Sequence, residues 1–231
     1  LVIAAVVTAS LPFWNRVGEK VGEKSAGRAA SDEDVRPSDA SRRELLRVPG
    51  ARECLICFFC YCAFESTCGA WAASYCTLAR GVSAGDAATW ASLFYVGITA
   101  GRAVSGFLTM RLNDSQLIRL GQALIAVGLV LLLAPLPNAA AMMGLMVCGL
   151  GCAPIYPSII HSTPENFGAS NALALTGLQM AFAYVGSLVM SPLFGVLAEG
   201  VSIAIYPFYL AVLLAVMALM AEAVNRVCRR A

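Results

Sequence analysis

The sequence predicts an all-α membrane protein whose main part is a bundle of six transmembrane helices. Three observations favour this fold class. Hydrophobic residues make up 59% of the 231 residues and charged residues only 13%, and the mean hydropathy is +0.74, far from an ordinary soluble domain. Six apolar stretches of about twenty residues alternate with short polar breaks. Lysine and arginine lie almost entirely on one side of the predicted membrane.

The six predicted spans make up a transmembrane domain at residues 51–225. They cover residues 54–79, 87–110, 117–136, 139–160, 170–194 and 201–225. Each break between them contains residues that are too polar for hydrocarbon or that favour a turn. These breaks are the segments 80–86, 111–114, 135–138, 163–166 and 199–200.

The basic residues predict which side of the membrane each break faces. Residues 14–53 contain nine lysines and arginines, two more follow the second span, and three follow the sixth. The opposite side contains only Arg80. Because positive charge is retained in the cytoplasm, we predict a multi-pass protein of the cell membrane whose segment 14–50 and C-terminal tail 226–231 are cytoplasmic.

The segments before the bundle have different compositions. Residues 1–13 form an apolar run that is too short to span a bilayer. No basic region precedes this run, so the end of a truncated transmembrane helix is favoured over a signal peptide. Residues 14–50 are rich in small and charged residues without apolar periodicity, which is typical of a flexible linker. The chain is therefore expected to be the C-terminal part of a longer polytopic protein.

Short runs in three spans carry a family resemblance. They are Tyr61-Cys62-Ala63-Phe64-Glu65 in the first span, Phe94-Tyr95-Val96-Gly97 with Gly101-Arg102 in the second, and Ala153-Pro154-Ile155-Tyr156-Pro157 in the fourth. Together with the linker and the six spans, these runs resemble the second half of a major facilitator superfamily transporter, in the branch of the fucose-permease-like sugar transporters. The resemblance covers residues 50–225.

The resemblance implies that the chain is the C-terminal half of a secondary active transporter. Such a protein moves a small, sugar-like polar solute across the lipid bilayer by alternating access. An N-terminal six-helix half is the implied partner, and the solute site is expected between the two halves. Coupling to H⁺ is the favoured hypothesis, and coupling to Na⁺ is the alternative.

Glu65 is the first candidate for a functional residue. It lies about 18 Å along a helix from the cytoplasmic edge, in the middle of the membrane. A carboxylate at this depth needs either a partner or a proton, and a carboxyl that exchanges its proton suits a proton-coupled carrier. A hydrogen bond to a neighbouring helix is the alternative. One helical stripe contains Tyr61, Glu65, Cys68, Ala72 and Tyr75, and we predict that it faces a central cavity.

Four further residues are candidates for solute or ion binding. Tyr95 and Arg102 share one face of the second span. Arg102 is expected to pair with Glu65, to bind backbone carbonyls of a cytoplasmic gate, to snorkel towards the membrane edge or to contact the solute. Tyr156 lies between two prolines, in a helix whose freed carbonyls favour a cavity or a purely structural kink. Gln179 is expected to contact the solute or to form an interhelical hydrogen bond.

The sequence predicts no enzyme, metal site, cofactor or nucleic-acid partner. The spacing of Cys54, Cys57 and Cys60 imitates an iron–sulfur motif, but it lies in an apolar helix whose thiols point to different faces. His161 is the only histidine. Two alternative functions remain: a non-transporting six-span membrane protein or gene fragment, and an intramembrane serine protease with Ser170 as nucleophile. The protease is disfavoured because Ser170 lies at the membrane edge.

Overall fold

The computed structural model describes residues 42–228, with side chains from residue 44. The predicted helix end at 1–13, most of the predicted linker and the last three residues of the predicted tail lie outside the described residues. The helices are α1 (Arg42–Leu45), α2 (Ala51–Leu78), α3 (Ala84–Leu108), α4 (Asp114–Leu133), α5 (Asn138–His161), α6 (Thr163–Phe167), α7 (Ala169–Gly200) and α8 (Tyr206–Cys228). A 3₁₀ turn at Ile203–Ile205 precedes α8.

Six helices have the length and composition needed to cross a membrane, namely α2, α3, α4, α5, α7 and α8. The predicted all-α fold with six spans is therefore confirmed for the described residues. The structure differs from the predicted breaks in two places. Residues 163–167 form the helical turn α6, because Pro164 lies in its first turn, where a helix needs no backbone donor. The fifth span continues to Gly200, because the residues beyond 194 remain apolar up to Glu199.

Local sequence signals fix where several spans begin. Asn113 and Gln116 form a capping box at the start of α4: the Gln116 amide donates to Asn113 Oδ1 at 3.0 Å, and the Asn113 amide donates to Gln116 Oε1 at 3.1 Å. Ser83 caps α3 by accepting a hydrogen bond from the Asp86 amide. These caps satisfy backbone donors at the ends of the spans, where the chain leaves the hydrocarbon.

Helix α5 packs closely against both α3 and α4 through glycine. At the crossing with α3, Gly97 and Gly149 face the opposite backbone, and a Cβ atom on Gly149 would overlap the Phe94 carbonyl oxygen. At the crossing with α4, a Cβ atom on Gly121 or Gly151 would lie 2.5 Å from the carbonyl oxygen of the other glycine. Small residues permit such close helix contact in a membrane, where apolar burial provides little driving force.

The connections between spans lie at two ends of the bundle. The Gly50 end contains residue 50, the 109–113 and 162–168 connections and residue 228. There, His161 Nδ1 lies 2.8 Å from Asp114 Oδ2, and the Ser115 hydroxyl donates to Asn225 Oδ1 at 2.7 Å.

The Arg80 end contains the connections at 79–83, 134–137 and 201–205. Arg80 joins two of these connections. Its guanidinium donates to the carbonyl oxygens of Leu132, Ala134 and Leu136 and to the Tyr75 hydroxyl. A cation is favourable at this position, because it satisfies carbonyls at the C-terminus of α4.

Candidate functional site

A cavity of about 350 Å³, which we call the central cavity, lies between α2, α3, α5 and α7. Its lining is mostly polar or aromatic. The lining residues are Cys62, Glu65, Ser66, Tyr95, Arg102, Tyr156, Met180, Ala183, Tyr184 and Ser187. Four of the predicted site residues are thus brought together, namely Glu65, Tyr95, Arg102 and Tyr156.

Glu65 occupies the middle of the 28-residue helix α2 and is half-buried. The rise of a helix places it about 20 Å from either end. Tyr61 lies one turn earlier on the same helix and is buried. The Glu65 carboxyl group lines the central cavity next to this buried phenol.

Tyr156 is held in place from two sides. Its ring packs against Phe58 and Tyr61 of α2, with centroid distances of 5.0 Å and 6.2 Å. Its hydroxyl donates to Met180 Sδ of α7 at 3.2 Å. The ring therefore forms a fixed aromatic wall of the central cavity, because neighbouring helices position both of its ends.

Tyr95 and Arg102 enter the central cavity from α3. Tyr95 is 55% exposed, and its hydroxyl packs so closely on Gly69 of α2 that a Cβ atom there would overlap it. Arg102 is exposed and lies two turns further along α3. The sequence left open an ion pair between Arg102 and Glu65. Within the described residues, no such pair forms at 4.0 Å or less, although both side chains line one cavity.

Sequence reasoning missed the contribution of α7 and the serine next to Glu65. Met180, Tyr184 and Ser187 lie on one face of α7 at i, i+4 and i+7. The Ser187 hydroxyl donates to the Cys62 carbonyl oxygen at 3.3 Å, which ties this face to α2. Ser66 borders the cavity beside Glu65. The spacing of Met180, Tyr184 and Ser187 in the sequence indicates that they share one helix face. None of them is charged, however, so the sequence offered no reason to expect that this face lines a cavity.

Gln179 lies outside the central cavity. It is fully buried, and its Nε2 donates to Thr163 Oγ1 at 3.0 Å and to Cys54 Sγ at 3.1 Å. These bonds join α7 to α6 and α2. The sequence left open whether Gln179 contacts the solute or forms an interhelical hydrogen bond. In the structure, Gln179 forms the interhelical hydrogen bond.

Tyr75 also lies away from the central cavity, at the Arg80 end. Its ring stacks on Tyr206 at 4.9 Å, and its hydroxyl donates to the Leu132 carbonyl oxygen at 3.2 Å. Cys68 and Ala72 of the same stripe are buried between helices. The predicted stripe therefore faces the interior of the bundle, and Glu65 is its member that lines the cavity.

A second cavity of about 670 Å³ lies at the Gly50 end, between the ends of α3, α4 and α5. It is larger, but it contains none of the predicted site residues. His161 lines it and is bound to Asp114, while Ser170 is exposed at the start of α7. A serine nucleophile needs a base within hydrogen-bond reach, but Ser170 does not line this cavity, and no hydrogen bond joins it to His161 among the described residues, so this arrangement does not favour a protease.

Comparison with known proteins identifies the fold. Residues 54–226 match the family described as Major Facilitator Superfamily. A variant of the E. coli fucose:proton symporter FucP has a TM-score of 0.67 and 21% identity, over 80% of this chain and 47% of that chain. FucP in the outward conformation gives a TM-score of 0.65 and 20% identity, over 80% and 46%. The chain thus spans just under half the length of these structures. No curated protein sequence matches the chain.

Proposed function

Because the chain belongs to the major facilitator superfamily and has its multi-pass membrane fold, we propose that it forms one half of a secondary transporter for a small sugar-like solute. The observation that carries this proposal is the central cavity. A carboxyl group in the middle of a membrane span lines it together with phenols and serines. Polar residues at this depth are costly and mark solute or ion pathways.

The other half is proposed to cover the open side of the central cavity. Tyr95 on α3 and Tyr184 on α7 line the cavity and are 55% and 68% exposed. A second six-helix half on this side would enclose the solute between two repeats, which then rock about it. This arrangement also agrees with a chain that spans 47% of the FucP structure.

The lining of the central cavity suits a polyhydroxy solute. Ser66, Ser187 and the three tyrosines offer hydroxyl groups, and the tyrosine rings offer flat apolar surfaces. Its volume of about 350 Å³ is near the lower limit of small-molecule sites, about 300 Å³. The cavity is therefore matched to a single small solute.

Glu65 is proposed to carry the coupled proton. It is the only carboxylate among the described residues that line the central cavity. The carboxyl would bind a proton while the cavity is open to one side and release it when the cavity opens to the other side. Sodium is the second candidate ion, and the same transport assay distinguishes the two.

The Gly50 end is proposed to face the cytoplasm. Arg111 and Arg226 lie at or near this end of the bundle, whereas Arg80 lies at the opposite end. The excess of basic residues on one side supports this orientation. It places the predicted linker and the C-terminal tail in the cytoplasm.

Uptake into proteoliposomes that contain the complete carrier tests the proposal. With a pH gradient as the energy source, wild type is expected to accumulate a sugar, and Glu65→Gln to lose accumulation while retaining exchange of internal for external solute. Glu199→Gln is the matched control, because Glu199 is exposed at the end of α7. A Glu65→Gln variant that accumulates solute as well as wild type refutes proton coupling through this residue. If a sodium gradient drives accumulation and a pH gradient does not, the coupled ion is Na⁺.

A parallel preparation tests the two-half arrangement. The 231-residue chain by itself is expected to insert into vesicles without catalysing uptake, because one side of its central cavity stays open. Transport by this chain alone, at a rate similar to that of the complete carrier, would show that no second half is required.

A further inference from the structure

Arg102 introduces a permanent positive charge into the central cavity. Its guanidinium is always protonated in proteins, so it cannot avoid the cost of a charge in a membrane span by losing a proton. The side chain lines the cavity together with Tyr95 and Tyr156. It lies about 10 Å along α3 from the Gly50 end.

Three other arginines of the described residues have partners that explain their positions. Arg80 binds three backbone carbonyls at the Arg80 end. Arg119 forms an ion pair with Glu222 at 2.5 Å, and Arg52 donates to the Leu46 carbonyl oxygen at 2.8 Å. The Arg102 guanidinium, in contrast, has no hydrogen bond or ion pair to any residue that the structure describes, although it lines the central cavity.

The only anionic side chain of the described cavity lining does not neutralise Arg102. Glu65 lies about 20 Å along its helix from the Gly50 end, so the Cα atoms of the two residues lie at depths that differ by about 10 Å, and no ion pair joins their side chains among the described residues. The central cavity therefore contains a carboxyl group in the middle of α2 and, nearer the Gly50 end, a guanidinium with no side-chain partner among the described residues.

We propose that Arg102 binds an acidic group of the solute, so that the transported compound is a sugar acid with one carboxylate. This inference rests on the proposed transport function. The planar guanidinium donates two parallel hydrogen bonds to a carboxylate. Tyr95 and Tyr156, which line the same cavity, would contact the sugar ring. The Gln179 amide would have favoured an uncharged solute, but it forms a hydrogen bond between helices and does not line the cavity.

The charge balance of transport follows from this assignment. A solute with one negative charge that moves together with one proton carries no net charge across the membrane. A neutral sugar that moves with one proton carries one positive charge. Uptake of the acid is therefore expected to respond to a pH gradient and to be insensitive to a membrane potential, whereas proton-coupled uptake of a neutral sugar responds to both.

Matched pairs of probes test the assignment in proteoliposomes of the complete carrier. D-glucuronate and D-glucose form one pair, and D-galacturonate and D-galactose the other, so that each pair differs only at one carbon. We expect at least one acid to be taken up with about tenfold preference over its neutral partner. An imposed potassium diffusion potential should leave this uptake unchanged at constant pH gradient.

Substitutions of Arg102 identify the group that is responsible. Arg102→Gln is expected to abolish the preference for the acid, and Arg102→Lys to retain part of it, because lysine keeps the charge without the planar fork. Arg111→Gln is the matched control, since Arg111 is exposed outside the central cavity. Thermal unfolding of each purified variant separates lost recognition from lost folding, and the Lys variant remains informative if the Gln variant is unstable.

Two results would overturn the assignment while leaving the transport proposal intact. One is preferential, potential-sensitive uptake of the neutral sugar. The other is an acid preference that persists in Arg102→Gln, which would assign the anion site elsewhere. Absence of uptake for all four probes, under both pH and sodium gradients, would instead refute the proposed sugar-transport function itself.

Discussion

The crossing of α3 and α5 makes Gly149 the position where the smallest substitution has the largest predicted effect on stability. Gly149→Ala adds a single methyl group. A Cβ atom at this position overlaps the Phe94 carbonyl oxygen and would lie 3.0 Å from the Phe94 carbonyl carbon and 3.1 Å from the Ile98 amide nitrogen. These three atoms belong to the α3 backbone. No side-chain rotation can relieve the overlap, so the two helices must separate.

Two opposing effects determine how much Gly149→Ala lowers the free energy of unfolding. Overpacking of a close contact costs about 1–3 kcal/mol, and separation of the helices also weakens the neighbouring contacts. Alanine recovers up to about 1 kcal/mol through its higher helix propensity. We therefore expect Gly149→Ala to lower the free energy of unfolding by about 1–2 kcal/mol. Gly177→Ala is the matched control, because Gly177 is inside α7 with no atom within 4 Å of a built Cβ, and it should be neutral or slightly stabilising.

The measurement is reversible unfolding of the purified chain in bicelles, with an unfolding probe that does not depend on transport. The difference between the two variants is the quantity of interest, since both add the same methyl group to a helical glycine. Equal free energies of unfolding for Gly149→Ala and Gly177→Ala would show that the close backbone contact between α3 and α5 is absent from the folded protein.

Three other substitutions probe contacts of the same bundle. Arg80→Ala should lower the free energy of unfolding by about 1–3 kcal/mol, because charged hydrogen bonds to carbonyls are lost. The free energy of unfolding of Arg80→Lys should lie between those of wild type and Arg80→Ala. Equal stability of Arg80→Ala and wild type would contradict this. Gln179→Leu should destabilise by a similar amount, because the Thr163 hydroxyl loses a partner, without changing solute selectivity in uptake competition. Tyr156→Phe removes only the bond to Met180 and should cost less than about 1.5 kcal/mol, whereas Tyr156→Ala should also weaken solute binding, as measured by competition.

The sequence was sufficient to predict the six spans, because hydropathy and helix length follow directly from the solvent that surrounds each segment. It also identified four residues of the central cavity. Glu65 and Arg102 were indicated because a carboxylate or guanidinium in a membrane span must face protein or water. Tyr95 was indicated by the helix face that it shares with Arg102, and Tyr156 by its position between two prolines. The first residue of a helix is also determined by nearby residues, as Asn113 and Ser83 show, because each of these caps involves only residues within one turn.

Gln179 and Tyr75 show where this reasoning ends. Helical periodicity predicts that a polar side chain faces the bundle, but not whether the neighbouring helix fills the space in front of it. Gln179 meets Thr163 and Cys54, and Tyr75 meets Tyr206 and Arg80, all of which come from other parts of the chain or from the end of a helix. Such pairings depend on how the helices cross, and the close approach of α5 to its neighbours is a property of their packed backbones.

The most direct test of the account is whether water reaches the Glu65 carboxyl in the membrane. The complete carrier in lipid vesicles is treated either with a water-soluble carbodiimide and an amine or with a lipid-soluble carbodiimide, and modified carboxyls are identified by mass spectrometry. Glu199, which is exposed at the end of α7, is the positive control. We expect the water-soluble reagent to modify Glu65. Modification of Glu65 by the lipid-soluble reagent alone would mean that this carboxyl faces hydrocarbon, and the central cavity would then not be a solute pathway.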